Sequence, residues 1–456
     1  MSENNNLAAF GGTADMQQLA EDLIGKMRSA GADAADLLLV SGTSVSVSCR
    51  LGEVEDVERS EGQDLGLRAF IGNQQAVVST SDLSAATLDE MVSRVVAMAR
   101  SAPADPYCGL ADAALLAKDV PDLDIYDAST PEMPELIDAA RQCEDAARGI
   151  EGITNSEGAS TGWGHSQLVL ATSGGFNQGY RSSSYSISCS VLAGEGVAME
   201  RDYEFSSSRH YADLTAADEI GKIAALRTLS RLNPRKVKSA QVPVIYAPRV
   251  ANSLLGHLSG AINGAAVARG TSFLKDCLGQ EILPAQISVI DDPHRLRGLR
   301  SKPFDGEGVR NGRRAMVENG VLQGWFLDSA SARQLGLQSS GHAARGTGGA
   351  PGAAPTNLYM TPGEATPDEL LSDIREGLLI TELIGMGVNG VTGDYSRGAS
   401  GYWIENGKPA YPVSEVTVAG NLREMFKQIT AANDLQFHYG MNAPTLRIEG
   451  MMVAGE

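Results

Sequence analysis

Between Ala35 and Asp82 the chain reads ADLLLVSGTSVSVSCRLGEVEDVERSEGQDLGLRAFIGNQQAVVSTSD, a series of β-rich segments broken by glycine-containing turns. Segments joined this tightly pair with their sequence neighbours, so an antiparallel sheet is predicted here. The pattern returns between Ile153 and about His210, in stretches such as SQLVLATS and SYSISCSVLAGEG. Apolar residues at helical spacing frame both blocks. DMQQLAEDLIGKMRSAG and LSAATLDEMVSRVVAMARSA flank the first, and PELIDAARQCEDAARG and LTAADEIGKIAALRTLSRLN flank the second. Prolines crowd residues 103 to 134 and mark a long connection between the blocks.

At 456 residues the chain exceeds what one hydrophobic core serves, and 43% hydrophobic with 20% charged residues marks it as globular. PRKVKSAQVP, with two prolines and a small basic cluster, places a boundary near residue 238. The predicted organisation is α+β: a mobile tail over 1–13, an N-terminal domain over 14–238 and a glycine-rich C-terminal domain over 239–456. Both domains are expected to combine mixed or antiparallel sheets with packed helices.

A formal charge of −19 repels phosphate backbones, and no basic run offsets it, so nucleic-acid binding is disfavoured. The five cysteines are scattered, as in a reducing compartment. No apolar stretch reaches 18 residues and the N-terminus resembles no signal peptide, so a cytoplasmic protein without membrane contact is expected.

Local catalytic patterns are sparse. The six histidines lie more than thirty residues apart, so no local metal-ligand pair exists. GASTG at 158–162 matches a nucleophile elbow around Ser160, but a strand follows it where a helix is required. Ser272 and Lys275 match S-x-x-K without its companion motifs. GHAARGTGGAPGAAP at 341–355 lacks the spacing and lysine of a phosphate loop and carries Pro351; it reads as a mobile or tightly folded loop.

NSLLGHLSGAINGAAVARGTS, residues 252–272, reads as one helix. At 100° per residue, Val250, Leu254, Leu258, Ala261, Ile262 and Ala265 share an apolar arc, with Leu255 at its margin. Gly256, Gly260 and Gly264 form a ridge without side chains, each forgoing about 1 kcal/mol of helix propensity. Close packing is expected there, with Gly260→Leu overpacking it. His257 lies between ridge and arc, as a packing or a functional residue.

Several stretches resemble the TldD/PmbA family: LLGHLSGAINGAAVARGTSFL, FDGEGVRNGRRAMVENGVLQGWFLDSASARQLG, PTNLYM, GVTGDYSRGASGYWIENGKPAYPVSEVTVAGNL and, in the first half, ERSEGQDLGLRAFIGNQQAVVSTSD. The resemblance covers nearly the whole chain. It implies a cytoplasmic heterodimeric metallopeptidase acting on unfolded or modified peptides. In that family the TldD branch carries a zinc-binding H-E-x-x-x-H before an Arg-Gly-Thr-Ser exit and a cysteine ligand near the C-terminus. The PmbA (TldE) branch lacks them. Anchored on Arg269–Ser272, the motif positions fall here on Leu255, Gly256 and Gly260, and no cysteine follows Cys277. The chain thus resembles the PmbA/TldE branch.

The resemblance implies no catalytic residue, metal or cofactor in this chain, zinc in a TldD-like sister subunit, and a homodimer where the sister is absent. A peptide would bind as an added strand in a cavity to which His257, Gly260, Asp394, Tyr395 and Arg397 contribute. Two other readings stay open: a self-sufficient peptidase with a metal site from His257, His342 or His438 and distant carboxylates, and a regulatory protein of the kind the family's older label, modulator of DNA gyrase, describes.

Overall fold

The computed structural model describes residues 12–455. The mobile tail expected over 1–13 lies outside these residues, except that Gly12 is already placed and helix α1 (Thr13–Ser29) starts at Thr13. The two predicted strand blocks form one six-stranded sheet. Its strands are β1 (Ala34–Arg50), β2 (Glu53–Ile71), β3 (Gln74–Thr80), β4 (Ile153–Thr172), β5 (Asn177–Ala193) and β6 (Glu200–Ser208), in the order β3-β2-β1-β4-β5-β6. All pairings within it are antiparallel.

The continuous apolar run of β1 and its later alternation have one cause each. Residues 35–39 are buried on both faces, whereas Val45, Val47 and Cys49 are buried between more exposed serines. Leu37 and Leu39 pack with α1 and with α2 (Ala85–Ser101). Leu38 faces the other way, toward Phe304 of the C-terminal half. Helices α3 (Met133–Arg148) and α4 (Ala217–Ser230) cover β4 and β5. Over Glu53–Asp64, β2 is a charged, exposed edge, and charge of this kind keeps an edge from pairing indiscriminately.

In the C-terminal half, β7 (Ala240–Tyr246) pairs in parallel with the strand Glu376–Val388 and antiparallel with Leu446–Ala454. Strands Asp394–Glu405 and Lys408–Asn421 complete the layer, and Lys408–Asn421 also pairs with Leu446–Ala454. Five strands therefore close into a ring, which removes open edges. A smaller five-stranded sheet, including Val289–Asp291 and Leu358–Met360, lies beside it. The architecture is α+β with mixed sheets.

The two halves meet through the 341–355 segment, which is tightly folded: Ala343–Ala344 pair with Gly352–Ala353. On the face of the first sheet opposite α1 and α2, β1 presents Asp36 and Leu38, and their partners on β2 are Arg68 and Gly66. Thr347 lies directly against Gly66, where any side chain would strike its backbone. Two residues earlier, Arg345 donates from Nη1 to Asp36 Oδ1 at 2.7 Å, while Arg68 Nε donates to both Asp36 oxygens at 3.0 and 3.1 Å. All three side chains are at least 96% buried. Burial alone would raise the Asp36 carboxyl pKa, but the two guanidinium groups hold it below its ordinary value.

Removing one partner of a buried ion pair leaves the others charged and unpaired. Asp36→Asn is therefore expected to destabilise the protein by about 3–5 kcal/mol, measured by denaturant unfolding. Because the folded carboxyl pKa lies below the ordinary 3.8, the contribution is present above that value and disappears as pH falls through the folded one. Acid unfolding of Asp36→Asn should be correspondingly shallower.

Candidate functional site

Helix α5 (Pro248–Ala261) begins two residues after β7, with proline in its first turn. Val250, Leu254, Leu255 and Leu258 are buried in the C-terminal core. The single helix expected over 252–272 is broken. α5 ends at Ala261, and Asn263 caps a short helix α6 (Gly264–Ala268) by accepting a hydrogen bond from the Ala265 amide at 3.0 Å. Asn263 also donates from Nδ2 to the Ala353 carbonyl at 2.7 Å, fixing the break against the 341–355 segment.

This break dissolves the expected glycine ridge. A Cβ on Gly260 would meet nothing within 4 Å, and one on Gly256 would meet only Met441 Cε, at 3.8 Å. Gly264 alone is tightly enclosed, by Leu327, the Phe326 carbonyl and Ser331. The overpacking expected for Gly260→Leu is therefore corrected: that position opens outward.

The structure brings together three of the five candidate residues. Tyr395 and Arg397, alternate residues of the strand Asp394–Glu405, share the face that meets α5. The His257 and Tyr395 rings meet edge-on with centroids 5.8 Å apart. Burial and then the Arg397 charge push the His257 pKa below its ordinary 6.5, so the imidazole is neutral at pH 7. Its Nε2 and Arg397 Nε are enclosed without a hydrogen-bond partner among the described residues. Tyr246, at the end of β7, donates to the Tyr395 hydroxyl at 3.4 Å. Sequence reasoning missed Tyr246; its place immediately before α5 was the available signal.

Gly260 lies one turn beyond His257, on the open side of α5. Asp394 sits apart from the cluster. It is exposed and accepts from Thr392 Oγ1 at 2.6 Å and from Asn421 Nδ2 at 3.2 Å, and these bonds lower its pKa. Beside it, residues 386–390 and 394–396 line an open depression of about 600 Å³. The adjoining hairpin exposes Ile384, Met386 and Val391, the methionine at 81%.

A zinc site does not fit these residues. Leu255 is fully buried, and Gly256 and Gly260 offer no ligand atom. Among the described residues no group of three or more His, Cys, Asp or Glu side chains is placed to hold a metal. Among the described residues the structure does not bring His257, His342 and His438 together in one carboxylate-bearing group. His342 is enclosed between Ser340 and Asp291, and His438 bonds Gln436 at 2.7 Å.

Ser340, His342 and Asp291 do form a serine–histidine–aspartate chain, with contacts of 2.8 and 3.2 Å. Asp291 is completely buried and also takes two bonds from Thr356, and Ser340 accepts from the Leu327 amide. The chain is a saturated core network. Ser160 lies in mid-strand on β4, and Ser272 is buried against the Ala261 carbonyl. Neither is a nucleophile elbow.

The fold matches solved structures along nearly its whole length. A crystal structure from Bacteroides thetaiotaomicron, of a protein named for a proposed role as modulator of DNA gyrase, superposes with a TM-score of 0.88 at 29% identity, covering 96% of this chain and 99% of the other. TldE from Thermococcus kodakarensis superposes at 0.82 with 19% identity over 95% and 99%, a likeness of fold alone. By sequence, the PmbA/TldA metallopeptidase models match in three parts: domain 1 over 35–99, the central domain over 126–232 and the C-terminal domain over 239–455. Metalloprotease PmbA of Escherichia coli O157:H7 is 41% identical over 94% of each chain. The chain belongs to the PmbA/TldD metallopeptidase family.

The glycines supply a direct check of the helix geometry. Gly260→Ala should leave stability unchanged or raise it by up to about 1 kcal/mol through helix propensity. Gly264→Ala should lower it by about 1–3 kcal/mol through overpacking. Thermal denaturation of the two variants measures the contrast.

Proposed function

We propose that this chain is the PmbA/TldE-type subunit of a heterodimeric, cytoplasmic zinc metallopeptidase of TldD/TldE type, and that it brings no catalytic metal site of its own. The observation that carries this reading is α5. Where the sister branch has ligands, this helix has a buried leucine and two glycines, one of them facing open space. The sister subunit would supply the zinc. This subunit would supply the surface along which an unfolded or modified peptide lies.

The exposed apolar hairpin around Met386 supports a partner at this end of the molecule, since apolar side chains grouped at a surface mark interaction sites. The depression beside it offers backbone to an extended peptide, with main-chain pairing giving affinity without sequence selectivity. Tyr395, which also lines that depression, meets neutral His257 and Arg397 on the core side. Without a sister subunit, the same surface would pair two copies of this chain.

The test is metal content and activity measured together. The purified chain alone should hold no stoichiometric zinc and leave an unstructured peptide intact. Mixed with an H-E-x-x-x-H-bearing sister, it should form a complex that cleaves the peptide. One tightly held zinc per chain, with cleavage by this chain alone, would overturn the proposal.

A further inference from the structure

Away from α5, where the two halves of the chain meet, Arg209, Arg300 and Lys302 line one depression of about 360 Å³ together with Tyr180 and Ser301. The grouping is unusual in a chain of charge −19. Arg297, three residues before Arg300, pairs with Asp124 at 2.6 Å and Asp213 at 3.0 Å, and Arg295 lies over the Phe437 ring. Among the described residues, Arg209, Arg300 and Lys302 form no such ion pair, although Asp305 and Asp291 lie close enough to act on Lys302. Arg209 donates to the backbone carbonyls of Ser183, Gly298 and Leu299, and the Tyr180 hydroxyl lies near enough to act on its charge. Lys302 donates to the Ala343 carbonyl at 3.3 Å.

The carboxylates nearest Lys302 are already engaged. Asp305 accepts from the amides of Glu307, Val309 and Ala343, and Asp291 is held by His342 and Thr356. Arg300 is exposed, and its side chain lies against Gly440, where a Cβ would collide with it. Arg209, Arg300 and Lys302 line one depression and none of them forms an ion pair among the described residues, so their remaining donors suit an oxyanion, because charge-assisted hydrogen bonds to phosphate or carboxylate are the strong ones.

We propose that this depression binds a small oxyanion, a phosphate or a carboxylate, held by Arg300 and Lys302 with Arg209 behind them. The bound anion would link Tyr180 and Arg209 of the N-terminal half to residues 300–302 and 354–355 of the C-terminal half. Ligand binding to the folded state alone raises thermal stability with ligand concentration. The site would tie the junction of the two halves together, separate from the peptide surface proposed above and independent of it.

The experiment follows the melting temperature of the full chain as inorganic phosphate, or acetate in a second arm, replaces chloride at constant ionic strength. A saturable rise with either oxyanion is expected; phosphate alone would assign a phosphate site, and acetate alone a carboxylate site. Arg300→Gln should weaken the response by at least about tenfold, and Arg300→Lys should restore most of it. Arg300 is exposed, so both variants keep the fold. No rise with either anion, or an equal rise in Arg300→Gln, the mark of a general salt effect, would overturn the site.

Discussion

The buried contact of Arg345 with Asp36 decides how the two halves of this molecule sit. The residues are 309 positions apart, and the arginine arrives on a glycine-rich segment that fits only because Gly66 leaves the sheet face bare. Asp36 would be a liability in the interior without both guanidinium groups, and each arginine would be one without Asp36. Docking is thereby specified by charge as well as by shape. The same segment, through Ala353, holds the Asn263 cap and so the break between α5 and α6. A contact at the N-terminal sheet is thus mechanically continuous with the helix at the candidate site.

That helix explains how a family of metallopeptidases can include a chain whose own residues do not fit zinc. α5 keeps the packing of a core helix on one side, with Leu254, Leu255 and Leu258 buried. On the other it carries no side chain at Gly260 and leaves space. His257 stays neutral beside Tyr395 and Arg397, which suits a hydrogen-bonding wall better than an acid or base working near pH 7.

Local features of the fold were legible in the sequence because their causes are local. Strand alternation, glycine turns and the amphipathic helices α1 to α4 each rest on neighbours within a few residues. The break at Asn263 was not read, because the apolar period runs on across it; asparagine as a helix cap was the signal that could have shown it. The glycines misled for a different reason. A missing side chain says that something is permitted at a position, not whether backbone or solvent stands there, and Gly260 and Gly264 turned out opposite. His257 was singled out from its place on the helix, and Tyr395 and Arg397 through family resemblance; their meeting across some 140 residues of chain follows from the ring of strands that no local pattern encodes. The Asp36 clamp had no sequence signal at all.

In the proposed heterodimer the open face of α5 borders bound peptide while the metal comes from the sister subunit. A photoreactive amino acid at position 260, which the open space accommodates, measures this directly in the complex with the sister subunit. Illumination with a non-cleavable unstructured peptide present should join the peptide covalently to this chain, and excess unlabelled peptide should suppress the product. Peptide bound by the complex but never captured from position 260 would contradict the account.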